Sequence, residues 1–516
     1  MVFWFILAVV TIGIVGLAVY DLSQRRHAIL RNFPIIGHLR FMLERIGPEL
    51  RQYIVTDNDH EKPFSRDERR WIYTSAKLED SRFGFGTDND LDEAKNYLIV
   101  KHVAFPIAAP ANEKPGPDPT RPLPAAKVLG AARQRRHSFR PKSIINISGM
   151  SFGSLSGAAI RALNLGAARA STLHTTGEGG ISSHHLQGGE LVWQIGTGYF
   201  GCRDANGTFN LNRLIDQVEQ APVRAIELKL SQGAKPGLGG MLPGTKVTPE
   251  VAAIRGIPVG VDCVSPPAHT AFHDVDSLLE FAETIADATG LPVGIKSAVG
   301  SMTFWESLAE RTERTGRGLD FITIDGGEGG TGAAPLVFTD HVSLPFRWGF
   351  SRVYRTFAER GLSDDIVFIG SARLGLPDTG LLAMALGCDL VNVGREAMLA
   401  IGCIQSQRCH TGQCPTGVAT QSSWRQHGLD PTDKSVRCAN YLAAARFELL
   451  RLARVCGKPH PALVTVDDLE VLEDRFRSTS VGTLFGYEPG WGLPSVRDQS
   501  TITDIMTAPQ SRKAGL

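Results

Sequence analysis

Residues 292–298 read PVGIKSA, residues 321–327 FITIDGG, residues 366–372 IVFIGSA and residues 390–395 LVNVGR. Each is a short apolar run that ends in glycine, serine or a cation, the composition of a strand buried on both faces. Upstream, IINISGM (144–150) and AIELKLS (225–231) have the same form. Between and around them lie stretches with helical spacing: SGAAIRALNLGAARA (156–170), SLLEFAETIADA (277–288), FWESLAERTER (304–314), FRWGFSRVYRTFAER (346–360) and TGLLAMALG (379–387). Strand alternating with helix requires a parallel sheet, and about eight repeats favour a closed (β/α)8 TIM barrel over an open sheet. The expected fold class is therefore α/β. In such a barrel the chemistry sits at the carboxyl ends of the strands, where the glycines, serines and lysines of these runs cluster. Tight βα turns alone would use the same glycines.

The wider composition agrees with a large globular core. Of 516 residues, 42% are hydrophobic and 21% charged, and the net charge is +1. So even a balance gives no field to steer the chain towards nucleic acid, and a nucleic-acid partner is not expected. Eight cysteines are present, five scattered through core-like segments and three, Cys403, Cys409 and Cys414, crowded into one loop. That distribution speaks for a reducing compartment and a ligand cluster rather than a disulfide framework.

The ends read differently. Phe3 to Tyr20, FWFILAVVTIGIVGLAVY, carries no charge, and Arg25, Arg26, His27 and Arg31 follow it. A helix of that length nearly crosses a hydrocarbon core of about 30 Å, and the basic flank places the body of the chain in the cytoplasm. A cleaved signal peptide is the competing reading, but a charged n-region and an A-x-A-like site are lacking. Residues 1–22 are therefore expected to be a single-pass membrane anchor. Residues 23 to about 110 show no long periodic pattern, and AAPANEKPGPDPTRPLPAA (108–126) is too rich in proline for helix or central strand. We expect an extension and linker over 23–140, the barrel over 141–455, and a C-terminal extension over 456–516.

Two features suggest redox chemistry. The last strand ends, Gly370-Ser371-Ala372-Arg373 and Gly394-Arg395, stand where many barrels hold a phosphate between the loops after strands 7 and 8. Arg395 would add charge-assisted hydrogen bonds. Lys296, near the end of PVGIKSA, is placed to sit at the N1–C2=O edge of a flavin; a structural ion pair or a Schiff-base lysine would use the same position. The loop CIQSQRCHTGQCP (403–415) supplies three thiols before Pro415. Three cysteines suit a [3Fe–4S] cluster, whereas zinc would need a fourth ligand such as His410, and cysteines without metal are the third possibility.

These pieces coincide with a family pattern. GMSFGSLS (149–156), TTGEGG (175–180), LSQGAKPGLGGMLPG (230–244), VSPPAH (264–269), DGGEGGTGAAP (325–335) and IGCIQSQRCHTGQCPTGVATQ (401–421) resemble the FMN-binding region of glutamate synthases, in the same order over roughly residues 140 to 455. The resemblance implies a (β/α)8 barrel, bound FMN and a [3Fe–4S] cluster on Cys403, Cys409 and Cys414. It implies reductive amination: 2-oxoglutarate and ammonia give 2-iminoglutarate, which takes hydride from reduced FMN. Gln232, Lys235 and Arg255 would grip the oxo-acid carboxylates with His269 nearby, and Glu178 would stand where ammonia arrives. Gly149, Met150, Ser151, Thr176, Gly330 and Thr331 would line the flavin, with Lys296 at its pyrimidine edge. Gly370, Ser371, Gly394 and Arg395 would hold its phosphate.

The chain also departs from the family. Met1-Val2-Phe3-Trp4 stands in place of the N-terminal cysteine nucleophile of a glutaminase domain, and about 60 residues follow the barrel, too few for the synthase β-helix domain. Leu238 and Met241 replace acidic and amide residues, and Thr270 replaces a second histidine after His269. The chain thus looks like a short, membrane-tethered relative, with ammonia free or supplied by a separate subunit and an electron donor outside the chain. A flavin reaction on another amino or oxo acid, or a membrane electron-transfer subunit, are the alternatives.

Overall fold

The structure, a computed structural model, describes residues 1–24, 28–80, 82, 84–110 and 113–508. Arg25, Arg26 and His27 of the basic flank, and residues 509–516 of the C-terminal extension, lie outside the described residues. The chain divides into two compact units, Met1–Arg69 and Arg70–Leu516.

The larger unit is the expected barrel. Eight parallel strands close on themselves: β1 (Ile145–Ile147), β2 (His174–Thr175), β3 (Leu191–Ile195), β4 (Val223–Lys229), β5 (Val293–Ser297), β6 (Phe321–Asp325), β7 (Val367–Ser371) and β8 (Leu390–Val393). The ring is sealed where β8 pairs with β1, Val391 opposite Ile145 and Val393 opposite Ile147. Six of these strands were legible as apolar runs, and β2 and β3 were not. β2 has only two residues, and the segment joining it to β3 holds a single 3-10 turn, Ser183–His185, instead of a helix. The strand–helix alternation that reveals the others is therefore absent there.

Local signals start and stop the outer helices. Ser156 caps the helix Gly157–Ala170 by accepting from the Ala159 N–H, and Asp274 and Ser277 form a capping box at the start of Val275–Thr289. Gly290, at φ 72°, ends the latter in the left-handed conformation that glycine adopts without cost. The 25-residue helix Pro431–Val455 lies against Gly157–Ala170. A Cβ on Gly166 would stand 2.6 Å from the Cys438 Cβ, so the small residue is what permits this approach.

Leu123 to Phe139 crosses the amino end of the barrel. Ala125 and Leu129 are fully buried with Leu173, Val192, Ala225, Phe321, Val367 and Leu390, and Phe139 packs on that cluster. Arg135 braces it, donating from Nε to Asp320 at 2.9 Å and from Nη1 to Glu283 at 2.8 Å. The two flanking extensions meet in a three-stranded antiparallel sheet, Tyr97–Val100 with Leu469–Asp474 and Arg477–Ser480.

In the smaller unit, Val2–Ser23 is a continuous helix, exposed over its apolar length. After a short helix, Ala28–Asn32, comes a longer one, Gly37–Leu50, which was missed by the sequence reading because Gly37, Gly47 and Pro48 dilute its helix propensity. Truncation of Leu129 to alanine should remove the middle of the amino-end plug and cost about 2–5 kcal/mol. Urea unfolding should show a lower midpoint at constant slope; an unchanged midpoint would mean that the plug does not stabilise the barrel.

Candidate active site

All the polar strand ends face the same, carboxyl, end of the ring because every strand runs parallel. Their centre is an ion pair. Lys229, the last residue of β4, places Nζ 2.8 Å from Glu178 Oε1 and donates to Gln232 Oε1 at 3.0 Å. Gln232 in turn donates from Nε2 to the Gly330 carbonyl at 3.0 Å, which joins the loop after β4 to the loop after β6. Two glycines make room for Glu178. A Cβ on Gly240 would lie 2.7 Å from its Oε1, and one on Gly196 would overlap its Oε2.

Electrostatics decide the charge state of this group. Burial raises the Glu178 pKa, but Lys229, by charge and hydrogen bond, and then the charges of Lys235 and Arg255 outweigh it and hold it below the usual range. Glu178 is therefore ionised at neutral pH. Burial pushes the Lys235 ammonium down, Glu178 opposes that shift, and Lys229 adds to it. Glu178, Gln232 and Lys235 thus share one locus. Lys229, which the sequence reading passed over, is its hub. The sequence did carry a signal for it: Lys229 stands fifth in AIELKLS as Lys296 stands fifth in PVGIKSA.

Lys296 stands 3.6 Å from Asp325 Oδ1 at the end of β6, and Asp325 Oδ2 accepts from the Gly233 N–H at 2.8 Å. The structural ion pair considered for Lys296 is therefore present. Beneath it, Glu227 is buried inside the ring, accepting from Thr323 Oγ1 at 2.7 Å and Gln194 Nε2 at 2.5 Å. Gln194 lies under Gly149, where a Cβ would come within 2.9 Å of the amide. Thr176 is buried beside it, its Oγ1 accepting from the Gln194 N–H at 3.1 Å. At Gly177, φ 72°, a Cβ would stand 2.5 Å from the Ser151 nitrogen, so the TTGEGG loop passes against the Met150–Ser151 backbone only as glycine.

Arg255 and His269 are placed otherwise than the substrate-gripping expectation. Arg255 is buried and donates from Nη2 to Ser151 Oγ (3.3 Å) and the Phe152 carbonyl (3.1 Å), and from Nη1 to Cys263 Sγ (3.7 Å). It braces the loop after β1. Both ring nitrogens of His269 have partners, Tyr199 Oη at 3.1 Å and the Lys229 carbonyl at 2.9 Å. Burial depresses its pKa, so the ring is neutral and supports the end of β4.

Ser371 is buried at the end of β7, and the loop beyond holds Ala372 (φ 132°) and Arg373 (φ 50°) in a region that L residues rarely adopt. Gly394 follows β8, and the nearest atom to a Cβ there would be Ser148 Cβ at 3.6 Å, so space remains above β1 and β8. Arg395 donates from Nη2 to the Glu328 carbonyl and packs its stem within 2.7 Å of where a Gly330 Cβ would stand. Thr331 Oγ1 faces the Ala333 carbonyl at 3.4 Å.

The cysteine loop begins one short helix beyond β8. Cys414 is buried and Cys403 and Cys409 are half-buried. Burial raises the Cys409 thiol, Cys414 adds to the shift and Lys246 opposes it, so these three groups are neighbours. Lys246 donates to the carbonyls of Ser154 (2.6 Å) and Cys409 (3.2 Å), and Gln421 Nε2 donates to those of Gly153 (3.0 Å) and Leu155 (2.8 Å). Both side chains bind the cysteine loop to GMSFGSLS, and neither had been singled out. Among the described residues no group of three or more His, Cys, Asp or Glu is gathered as for a single metal ion.

The fold and site define a (β/α)8 barrel with a charged, partly buried site at its strand ends and a cysteine loop tied to its first βα loop. The family model described as the conserved region in glutamate synthase matches residues 124–458. The chain belongs to the glutamate synthase family, an oxidoreductase family. It is 36% identical over 489 residues to a glutamate synthase large subunit-like protein of Bacillus subtilis, covering 89% of this chain and 93% of that one. It is 33% identical over 340 residues to an archaeal glutamate synthase [NADPH] of Methanocaldococcus jannaschii, covering 65% and 62%. The chain thus spans nearly the whole Bacillus protein and less than two thirds of the archaeal synthase. Among solved structures it resembles a mutant flavocytochrome b2 with pyruvate bound (TM-score 0.41, 14% identity, 83% of this chain and 91% of that one). It also resembles a mandelate oxidase mutant with benzaldehyde (TM-score 0.39, 16% identity, 73% and 87%).

Replacing Lys229 with methionine should leave Glu178 without its nearest cation and cost about 3 kcal/mol near neutral pH. A depressed carboxylate pKa gives stability that is present above the unfolded value and lost as pH falls through the folded one. The deficit against wild type should therefore persist down to about pH 4.3, the unfolded carboxylate value, and shrink as pH falls further. Urea unfolding across that range checks it, and a deficit independent of pH would contradict the pairing.

Proposed function

We propose that the chain reduces 2-iminoglutarate, formed from 2-oxoglutarate and ammonia, to L-glutamate, using FMN and a [3Fe–4S] cluster. The observation that carries this reading is the Glu178–Lys229–Gln232 chain with Lys235 beside it, inside the region matched to glutamate synthase. A dicarboxylate needs cations and amide donors, and Lys235 and Gln232 supply one of each. Glu178, ionised and held by Lys229, would take a proton from an arriving ammonium ion, so that ammonia attacks the oxo carbon, and return it to the hydroxyl that leaves as water to give the protonated imine. Lys229 keeps that carboxylate aimed at the mouth.

The donor set fits FMN. Gly149, Met150, Ser151 and Thr176 would line the ring, with Gly330 and Thr331 across from them. Lys296 would stand at the pyrimidine edge. Gly370, Ser371, Gly394 and Arg395 would receive the phosphate in the space above β1 and β8. Cys403, Cys409 and Cys414 would hold the cluster. When bound, FMN supplies the hydride and the cluster an electron path to it. The electron donor would be separate from this chain; the archaeal relative is a glutamate synthase [NADPH], which points to NADPH as the ultimate source. Ammonia would arrive free or from another subunit. Val2–Ser23 would anchor the protein in a membrane with its body in the cytoplasm.

One observation favours a second reading. Leu238 and Met241 are exposed on the loop that carries Gly240 against Glu178. An apolar rim there suits a less polar oxo or amino acid, on which the same residues would act.

Purified protein should show a flavin band and a [3Fe–4S] EPR signal, and Cys409→Ser should lose the EPR signal alone. Lys235→Ala should weaken 2-oxoglutarate binding by about 10–100-fold in a flavin-absorbance titration, the effect of one charge-assisted hydrogen bond. Equal affinity in wild type and variant would remove 2-oxoglutarate as the substrate.

A further inference from the structure

Within the smaller unit, Ile36, Leu39, Leu43, Ile46 and Leu50 follow steps of three and four residues, and Met42 widens the same face. All are solvent-exposed, Ile36 at 75% and Leu43 at 50%, so the unit buries none of this face. Ile36, Leu39, Leu43 and Gly47 line one open groove along the helix Gly37–Leu50. Charged residues border the face on both sides: Arg40, paired with Glu44 at 2.9 Å, and Arg51 on one edge, Glu49 and Arg45 on the other. Residues 28–55 hold four arginines (Arg31, Arg40, Arg45, Arg51) against two glutamates (Glu44, Glu49), with no lysine or aspartate, a balance of +2.

We propose that Gly37–Leu50 is a second membrane contact, a helix lying in the headgroup plane of an anionic bilayer with its apolar face towards the acyl chains. The proposal rests on the reading of Val2–Ser23 as a membrane span. What ties the two is Asp21, buried in the last turn of that helix. Its Oδ2 accepts from the Ile35 N–H at 2.9 Å, and His38 Nε2 lies 2.9 Å from its Oδ1. The start of Gly37–Leu50 is thereby clamped to the end of Val2–Ser23, so inserting the span brings that start to the membrane surface. An amphipathic helix with arginines beside its apolar face and just beyond its ends, here Arg31 and Arg51, is a form that binds such surfaces. Exposed Phe33 and Tyr53 bracket it, as aromatic residues do at headgroup depth. A second copy of the chain is the other occupant of such a seam. Two heptads interrupted by Gly47-Pro48 are shorter than the three or four a coiled coil sustains.

The test is lipid photolabelling of the full chain in phosphatidylcholine–phosphatidylglycerol vesicles carrying a diazirine phosphatidylcholine, read by peptide mass spectrometry. Label is expected on residues 2–23 and again on 36–50. The double substitution Leu39→Glu with Leu43→Glu should lower the label on 36–50 by roughly tenfold and leave that on 2–23. Label on 2–23 alone overturns the proposal and spares the span, and so does cross-linking of 36–50 to a second copy. Label on neither segment removes both readings.

Discussion

The seam between β8 and β1 governs the molecule. Val391 and Val393 pair in parallel with Ile145 and Ile147, and with that ladder closed the barrel itself has no free strand edge. All eight strands also run parallel, so every residue that ends a strand arrives at the same rim. Lys229, Lys296, Asp325 and Ser371 come from four strands and meet there without any loop having to carry them. The opposite rim is filled by Ala125, Leu129 and Phe139, which leaves one end of the ring for packing and the other for chemistry.

Charge at the open rim is managed in pairs. Lys229 faces Glu178, Lys296 faces Asp325, and inside the ring Glu227 is satisfied by Thr323 and Gln194. A buried charge without a partner is costly, so each carboxylate here is held by a cation or by neutral donors. The pairs also link loops: the Lys229–Gln232–Gly330 chain joins the loops after β4 and β6. A ligand bound at the rim therefore meets a surface already organised by its own hydrogen bonds, which lowers the ordering cost of binding.

Much of this was legible in the chain. Strands β4 to β8 and β1 announce themselves because doubly covered strands are continuous apolar runs, and the cysteine loop because three thiols in one loop are rare outside ligand sites. β2 escaped because two residues carry no period, and β3 because no helix precedes it. Gly37–Leu50 escaped because glycine and proline mask its face. Lys229 was overlooked although it sits in a quoted strand, since a lysine within an apolar run has no partner in sequence; Glu178 lies on another strand's loop. Arg255 shows the reverse, a cation whose sequence context suggests substrate and whose hydrogen bonds go to the loop after β1.

The most direct measurement is stopped-flow mixing of the anaerobically reduced, full-length protein with 2-oxoglutarate, ammonia, or both, following the flavin absorbance. The account predicts rapid reoxidation only with both, and L-glutamate formed in proportion to the flavin oxidised. Reoxidation by 2-oxoglutarate without ammonia, or none with the two together, would contradict it.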